Sequence, residues 1–494
     1  MAGIPDGSYA LFRSDENKVE LITDIVGSRT IWYVQTEDAF IASTSQRAIV
    51  FFLQDFQPNE EAFSWMLSSG TLGPGLSWDK RIHSLEGNAR LILDRSSWET
   101  EIKKEKVIYE PVDLPDEEHE IRLKKAMEET FDNLSIDFSK WILPLSGGFD
   151  SRAILLMLKN RQGLKAVTWG LESSLRDKRN DAYVARALAK HYYIDHCYFH
   201  TDISDEPIEK IFRRFLVAGE GRIDHISGYM DGFRIWKQLY ESGYQGIIRG
   251  DEAFGCKTVS TPNEVYINMG LTVFSDYEHT PLASKLINKH YQARPLSFEK
   301  QDNETLGSWR DRINAEFEIP VRFAALSDLK LPYIEVINPL LSRRIIEQVR
   351  RLPDHLRTDK KLLRRIVGSL SPPIVFADMP AIASYVDILK TRRIVDLLHK
   401  GLDSENARTL LSDELVECIL GSVKVVDVEP GKVRKSLKAF VKPYIPASLK
   451  KKMGRRPAKP AMDSNVIAFR SYIICRMNRL LREDARAARH GCLK

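Results

Sequence analysis

The chain has 494 residues, of which 43% are hydrophobic and 29% charged, and its 22 prolines and 27 glycines are too few for a collagen-like or low-complexity chain. Its formal net charge of +5 is small for this length and by itself identifies no polyanionic partner. At roughly 100–200 residues per domain, the length predicts two or three domains that each bury a core. We therefore expect a globular protein whose fold needs no disulfide, metal or membrane.

The five cysteines give no sign of a metal site or a disulfide framework. They are odd in number, widely separated and outside the short spacings of zinc ligands (Cys197, Cys256, Cys418, Cys475 and Cys492). The first thirty residues carry charges throughout, and no later stretch approaches about 18 consecutive apolar residues. These features predict a cytoplasmic protein with neither a signal peptide nor a membrane span.

Short runs of alternating apolar and polar residues, separated by turn dipeptides, occupy residues 7–94. They are SYALFR, KVELIT, TIWYVQ, AFIAST and ARLILD. This pattern predicts an antiparallel β-rich unit with one helix near residues 60–69, and a plain β-sandwich accessory domain is an equal alternative. Residues 100–120 are interpreted as a charged connector that leads into a helix ending near Asn133.

Apolar strands then alternate with helices, which is typical of βαβ units and a parallel sheet. The predicted strands lie at 142–145, 164–169 and 246–249, and the predicted helices at 151–160, 180–191 and 232–242. The pattern indicates a nucleotide-binding type of α/β layer over residues 121–257.

The chain beyond Ser260 is predicted to be mainly helical. Amphipathic stretches lie at 340–351, 360–369, 386–400 and 470–489. Residues 432–459 hold eleven lysines and arginines and no acidic residue. This segment is interpreted either as a solvated tail or as a contact for an anionic surface or RNA.

One motif points to phosphate chemistry. Between an apolar strand and a helix stands Ser146-Gly-Gly-Phe-Asp150-Ser151, where consecutive glycines permit a sharp turn that directs amides and a helix N-terminus into one anion-binding concavity. Ser146 and Ser151 add hydroxyl donors, and Asp150 offers an oxygen ligand for the Mg²⁺ that accompanies polyphosphates. The adjacent glycines and the missing lysine distinguish this loop from the G-x-x-x-x-G-K-[ST] type.

The loop resembles the SGGxDS pyrophosphate loop of the PP-loop ATP pyrophosphatases. Other segments are similar, in the same order, to those of asparagine synthetases, a group that includes β-lactam synthetases and lasso-peptide cyclases. The similar segments are residues 24–48, Trp169-Gly-Leu171, 177–185, Gly250-Asp-Glu-Ala-Phe-Gly255 and 333–342.

The resemblance implies an α/β protein with three parts. An N-terminal antiparallel β-rich domain at 1–100 would be a truncated glutaminase-like domain of the Ntn type. A parallel-sheet PP-loop ATP pyrophosphatase domain would span 121–400, and a basic helical extension would span 401–494.

The resemblance also implies a reaction and the residues that perform it. A substrate carboxylate would attack the α-phosphorus of ATP, pyrophosphate would leave with Mg²⁺, and an amine would capture the acyl-adenylate. Pyrophosphate would be held by Ser146, Gly147, Gly148 and Ser151, Mg²⁺ by Asp150 and Asp251, and adenosine by Leu145, Trp169 and Gly250. Glu335 would lie beside the incoming amine.

Each of these assignments has a structural alternative. Asp251 and Glu252 could instead cap a helix, Trp169 could belong to the core of the sheet, and Glu335 could form a surface ion pair.

Three departures from the family pattern affect the expected activity. Ala2 follows Met1 where glutaminase activity needs a cysteine, and the first half of the glutaminase fold is missing, so we expect no glutamine hydrolysis. The segment before Asp251 is about three residues shorter and lacks one glycine. No lysine occurs at 376–384, where the family has its catalytic lysine; Lys360 or Lys361 could replace it, or both could belong to a solvated helix start.

The sequence therefore predicts an ATP-dependent carbon–nitrogen ligase that uses ammonia or a substrate amine and acts on a small-molecule or peptide carboxylate. A separate glutaminase or precursor-binding protein could assist it. Two alternatives stand beside this prediction: a degenerate member that binds nucleotide without turnover, and a PP-loop RNA-modifying enzyme, which the lack of a cysteine pair for sulfur transfer disfavours.

Overall fold

The structure is a computed structural model that describes residues 4–280, 286, 292–426 and 460–489. Its N-terminal part contains seven of the described strands: β1 (Ala10–Ser14), β2 (Lys18–Thr23), β3 (Trp32–Gln35), β4 (Phe40–Ser43), β5 (His83–Ser84), β6 (Ala89–Asp94) and β7 (Thr100–Lys104). They form two antiparallel sheets, in the orders β1-β2-β6-β7 and β4-β3-β5. The predicted antiparallel β-rich region is thereby confirmed.

A small apolar core in this N-terminal part includes Leu21, Ile31 and Leu91, which are all fully buried. The predicted helix is present at Glu60–Ser69, and a second helix at Gln46–Leu53 was not predicted. The interpretation of residues 100–104 as connector was wrong, because they form β7. All five of its residues are exposed, so this edge strand lacks the apolar alternation by which a half-buried strand is recognised.

A third sheet has five parallel strands. They are β8 (Trp141–Pro144), β9 (Lys165–Gly170), β10 (His196–His200), β11 (Gly246–Ile248) and β12 (Glu335–Ile337). The strand order is β10-β9-β8-β11-β12. From β8 to β10 the chain therefore adds strands on one side of the sheet, and from β11 to β12 it adds them on the other side. The crevice at the carboxyl ends of β8 and β11 is therefore the switch point where open α/β sheets bind ligands.

The helices of the α/β part agree with most of the predicted ones. Described helices from Asp116 to Ser422, other than short 3₁₀ segments, are Asp116–Asp132, Phe149–Leu158, Asp181–His191, Ile208–Gly219, Arg234–Glu241, Pro262–Asn268, Leu306–Ile313, a π-helix at Asn314–Phe323, Ala324–Asp328, Arg343–Arg350, Asp354–Arg357, Lys361–Leu370, Tyr385–Ile388, Arg392–Leu402, Glu405–Leu411 and Asp413–Ser422. The helix predicted at 386–400 is divided in two. Strands β10 and β12 were missed, since β10 (HCYFH) begins and ends with histidine and has no fully buried residue, and β12 has only three residues.

The final described helix, Ser464–Arg489, is an integral part of the structure. Phe469 of this helix contacts Phe212 edge to face at a centroid distance of 5.2 Å, and Arg47 pairs with its Asp484 at 2.7 Å. One hydrophobic core contains residues of this helix, of the helix Gln46–Leu53 and of strand β11.

The basic segment 432–459, Ala2 and Cys492 lie outside the described residues. Within the described ranges, we find no helix with both the length and the apolar character required to cross a bilayer.

Candidate functional site

The Ser146–Ser151 loop lies at the carboxyl end of β8 and leads into the helix Phe149–Leu158. Its own hydroxyls hold its shape: the Ser151 hydroxyl accepts a hydrogen bond from the Ser146 amide at 3.0 Å and lies 2.9 Å from the Ser146 hydroxyl. The Gly148 amide donates to the Ser146 hydroxyl at 3.2 Å. Among the described residues no side chain caps this helix, so the amides of its first turn offer donors for an anion.

Gly147 is required by close packing. Its amide donates to Asp181 at 3.0 Å, and a Cβ at this position would lie 2.4 Å from the Ala377 Cβ and 2.8 Å from the Val184 Cβ. The Ala377 amide in turn donates to the Gly147 carbonyl at 3.0 Å. The segment in which the family lysine was expected therefore packs directly on the loop, with an alanine at the contact.

The segment after β11 approaches the same loop from the neighbouring strand. A Cβ on Gly250 would lie 3.3 Å from the Ser151 amide nitrogen, so a glycine allows the two strand ends to approach closely. Asp251 and Glu252 follow, and they project acidic groups beside the loop. The shorter segment before Asp251 thus still reaches the loop.

Lys360 joins the two acidic segments. Its Nζ lies 2.9 Å from an oxygen of Asp150 and 2.6 Å from Glu252. Burial raises the pKa of Glu252 to about 7. Burial also opposes the charge on Lys360, but the carboxylates of Glu252 and Asp150 outweigh it and raise the pKa of this lysine above its usual value. A positive charge is therefore held against Asp150 at the mouth of the loop.

The backbone decides which of the two lysines enters the site. Asp359 and Lys360 both have a φ of 56°, a left-handed conformation that is uncommon for residues other than glycine. The Asp359 amide donates to the Cys256 carbonyl at 2.9 Å, and its carboxylate accepts from Thr258 at 2.8 Å. Lys361, which begins the next helix, is exposed at a separate surface cleft.

Asp251 is largely buried behind the loop, and only one of its two carboxylate oxygens has a partner among the described residues. Its Oδ1 pairs with Arg249 at 3.1 Å, whereas its Oδ2 has no hydrogen-bond partner among the described residues. Burial raises the pKa of this carboxyl group. An unpartnered buried oxygen is costly unless a cation or donor approaches it.

A cavity of about 410 Å³ is lined by the Ser146–Ser151 loop and by Gly250 and Asp251. Trp169 lines it and packs edge to face on Trp236, with ring centroids 5.2 Å apart, so Trp169 both lines the cavity and packs in the sheet. Leu145 is buried, and its amide donates to the Val167 carbonyl at 2.8 Å. Side chains that line the cavity include Ser146, Asp150, Trp169, His225, Asp251 and Lys330.

The structure does not bring Glu335 to this cavity. Glu335 begins β12 beside Gly246, which is itself registered with Trp141 at the start of β8. Glu335 therefore lies at the amino ends of the parallel strands, opposite the loop. Its side chain is 53% exposed and pairs with Arg29, which agrees with the alternative of a surface ion pair.

Among the cavity residues that were not identified from the sequence are Lys330 and His225. Lys330 is only 5% exposed, and its Nζ donates to the Tyr229 hydroxyl at 3.0 Å and to the Leu326 carbonyl. Burial lowers its pKa well below the usual value. A lone lysine among apolar residues, in LSDLKLPY, was the available signal for Lys330, whereas nothing local marks His225.

Residues 123–305 match the family model described as asparagine synthase. The match spans less than half of the chain, and it includes the Ser146–Ser151 loop and Asp251. It confirms the resemblance to asparagine synthetases and supports membership of an ATP-dependent amidating ligase family. No curated protein matches the chain.

Proposed function

We propose that the chain is an asparagine-synthetase-like ligase that adenylates a carboxylate with ATP and passes the acyl group to ammonia or a substrate amine. The observation that carries the proposal is the grouping of the Ser146–Ser151 loop and Asp251 around one cavity at the switch point of the sheet, with Lys360 paired to Asp150 of the loop. Such a crevice suits a nucleotide, and its donors suit a polyphosphate. The PP-loop assignment of residues 121–400 is part of this proposal.

The loop would hold the leaving pyrophosphate. Ser146, Gly148 and Ser151 would exchange their mutual hydrogen bonds for phosphate oxygens, and the first turn of the helix would add amide donors. The adenosine would lie toward Leu145, Trp169 and Gly250. In the first step a carboxylate oxygen forms a bond to the α-phosphorus, and pyrophosphate leaves with the electron pair of the broken bond.

Asp150 and Asp251 would hold the Mg²⁺ that accompanies ATP. The unpartnered Oδ2 of Asp251 fits this role, and Lys360 already places a positive charge against Asp150. Mg²⁺ commonly takes one or two carboxylates and completes its shell with water and substrate phosphates. The cation would neutralise phosphate charge.

Lys360 would supply the second positive charge. The ion pairs with Asp150 and Glu252 hold the Lys360 ammonium in a fixed position at the loop. A charge that is preorganised in this way stabilises a transition state most effectively in a buried site. We assign no step to Lys361 or Glu335.

The nitrogen would come from ammonia or from an amine of the substrate, and a separate glutaminase or precursor-binding protein could deliver the substrates. The sequence contains no cysteine before Cys197, so the β-rich region offers no thiol nucleophile for glutamine hydrolysis.

The proposal is tested by pyrophosphate release. The full chain would be incubated with ATP, Mg²⁺ and a panel of amino acids, dicarboxylates and short peptides, with ammonium or glutamine as the nitrogen source. We expect at least one carboxylate to stimulate release, and ammonium but not glutamine to support product formation. Asp150→Ala should abolish the signal. ATP binding without release for every carboxylate would instead favour the degenerate, nucleotide-binding alternative.

A further inference from the structure

A buried aspartate and a histidine form a hydrogen-bonded pair at the wall of the cavity. His225 lines the cavity together with Ser146 and Asp150, and its Nδ1 lies 3.1 Å from Oδ1 of Asp224. The His225 side chain is 41% exposed, whereas that of Asp224 is 2% exposed. The pair lies on the irregular segment that follows the helix Ile208–Gly219.

Asp224 is ionised, and it is held in place by residues that are distant in the chain. Burial opposes its charge, but Arg470 of the final helix, at 2.7 Å, and the hydrogen-bonded His225 together outweigh burial and hold the pKa of Asp224 well below its usual range. The Asp224 amide donates to the Gly70 carbonyl at 3.1 Å. A Cβ on Gly70 would lie 2.3 Å from Oδ2 of Asp224, so the carboxylate can occupy this position because residue 70 is a glycine.

The ionised carboxylate sets the tautomer of the imidazole. Because Asp224 can only accept, Nδ1 of His225 carries a proton and the neutral ring has its lone pair on Nε2. The Tyr385 ring stacks on His225 with planes 7° apart, which holds the ring orientation. Arg322 lies 3.4 Å from Nε2, and Glu318 pairs with Arg322 at 2.9 Å and balances its charge.

Three other titratable groups that line this cavity already hold a partner. Asp150 accepts from Lys360, the Lys330 ammonium donates to two oxygens, and Asp251 pairs through Oδ1 with Arg249, while its Oδ2 is the oxygen proposed for Mg²⁺. His225 is an imidazole at a half-exposed position on the cavity wall, and its Nε2 is a proton acceptor whose contact with Arg322 is long, at 3.4 Å.

We propose that His225 is the general base that accepts the proton of the incoming amine, with Asp224 as its positioning residue. This inference rests on the proposed ligase function. The amine lone pair forms the new carbon–nitrogen bond at the acyl carbon, AMP leaves with the electron pair of the acyl–oxygen bond, and the amine proton passes to Nε2. The imidazolium then returns the proton to water, so the enzyme ends unchanged.

The experiment separates the two halves of the reaction in the full-length chain. Adenylation is measured as carboxylate-dependent exchange of pyrophosphate into ATP, and acyl transfer as product formation with ammonium or with hydroxylamine. His225→Gln should retain exchange within about threefold of wild type and lower ammonium transfer by about 100-fold or more, the usual contribution of a general base. Hydroxylamine, whose nitrogen loses its proton readily after attack, should restore transfer.

The matched control is His399→Gln, which removes an exposed histidine on the helix Arg392–Leu402 outside the cavity. It should match wild type in both half-reactions. Equal ammonium transfer in His225→Gln and wild type, whether high or undetectable, would overturn the assignment, as would a parallel loss of exchange and transfer. Absence of exchange in the wild type with every carboxylate would instead refute the proposed ligase function, and the inference with it.

Discussion

Replacement of Lys360 by alanine is the most direct test of the site. The change leaves the carboxylates of Asp150 and Glu252 without the ammonium that both contact at 2.6–3.0 Å. At such distances two unit charges interact with about 6 kcal/mol at an effective dielectric constant near 20. Lys360 is 24% exposed and Asp150 32% exposed, so water screens part of this energy. We expect a loss of about 2–3 kcal/mol of unfolding free energy at pH 8.

This loss should depend on pH in a defined direction. Burial already places the pKa of Glu252 at about 7, and removal of Lys360 raises it further. The unpaired negative charge therefore destabilises the variant above this pKa, and protonation of Glu252 restores stability as the pH falls. The difference between Lys360→Ala and wild type should be largest at pH 8 and should shrink at pH 6.

Urea unfolding followed by circular dichroism measures the stability, and pyrophosphate release measures the activity. We expect kcat/KM to fall about 10²–10³-fold in Lys360→Ala, the usual cost of one preorganised electrostatic contact. Lys361→Ala is the matched control, since its exposed side chain predicts a change within about 0.5 kcal/mol and normal activity. Equal behaviour of the two variants would refute the assignment of Lys360.

Three further predictions concern the loop, a half-buried histidine and the metal. Gly147→Ala should cost about 1–3 kcal/mol in urea unfolding and weaken ATP binding in calorimetry, since its Cβ meets Ala377, whereas Gly368→Ala, whose Cβ would meet no atom of the described residues within 4 Å, should have little effect; equal losses would contradict the packing argument. Burial lowers the pKa of His196 to about 4, so folding should lose about 2 kcal/mol between pH 8 and pH 5 through this group, and urea-unfolding curves of His196→Gln should lack that component; parallel pH dependences would contradict it. Without nucleotide, Mg²⁺ should raise the melting temperature of Lys360→Ala more than that of wild type, because the ammonium no longer competes for Asp150; equal shifts would contradict a metal role for this carboxylate.

The sequence located the parts of the site that depend on local pattern. The Ser146–Ser151 loop could be placed between a strand and a helix because consecutive glycines, flanking hydroxyls and an apolar run stand next to one another in the chain. Gly250 and Asp251 were assigned through the resemblance of the segment Gly250-Asp-Glu-Ala-Phe-Gly255, which follows a predicted strand. In each case the residues that carry the signal lie within a few positions of one another in the chain.

The remaining parts depend on contacts between distant segments. Which end of the sheet Glu335 occupies is decided by the register of β12 against β11, and a three-residue strand carries no signal of its register. Lys360 could not be distinguished from Lys361, because the left-handed backbone at Asp359 and Lys360 is stabilised by a contact with Cys256. The hydrogen-bond partner of His225, Asp224, is its neighbour in the chain. The residues that pack around this pair, Gly70, Tyr385 and Arg470, are distant in the sequence.

The β-rich region and the final helix have a structural function that does not require glutamine chemistry. Glu220 accepts from the Gln46 amide at 2.9 Å, and its carbonyl accepts from the Trp78 indole at 2.7 Å, so the helix Gln46–Leu53 is anchored to the α/β part. Arg470 donates to the Leu67 carbonyl at 2.9 Å, and its ion pair with Asp224 favours the ionised form of that carboxyl group. Removal of either end would expose a shared core, and removal of the final helix would also leave Asp224 without its cation. The absence of cysteine from the β-rich region therefore does not make that region dispensable, because it helps to hold the pair that faces the cavity.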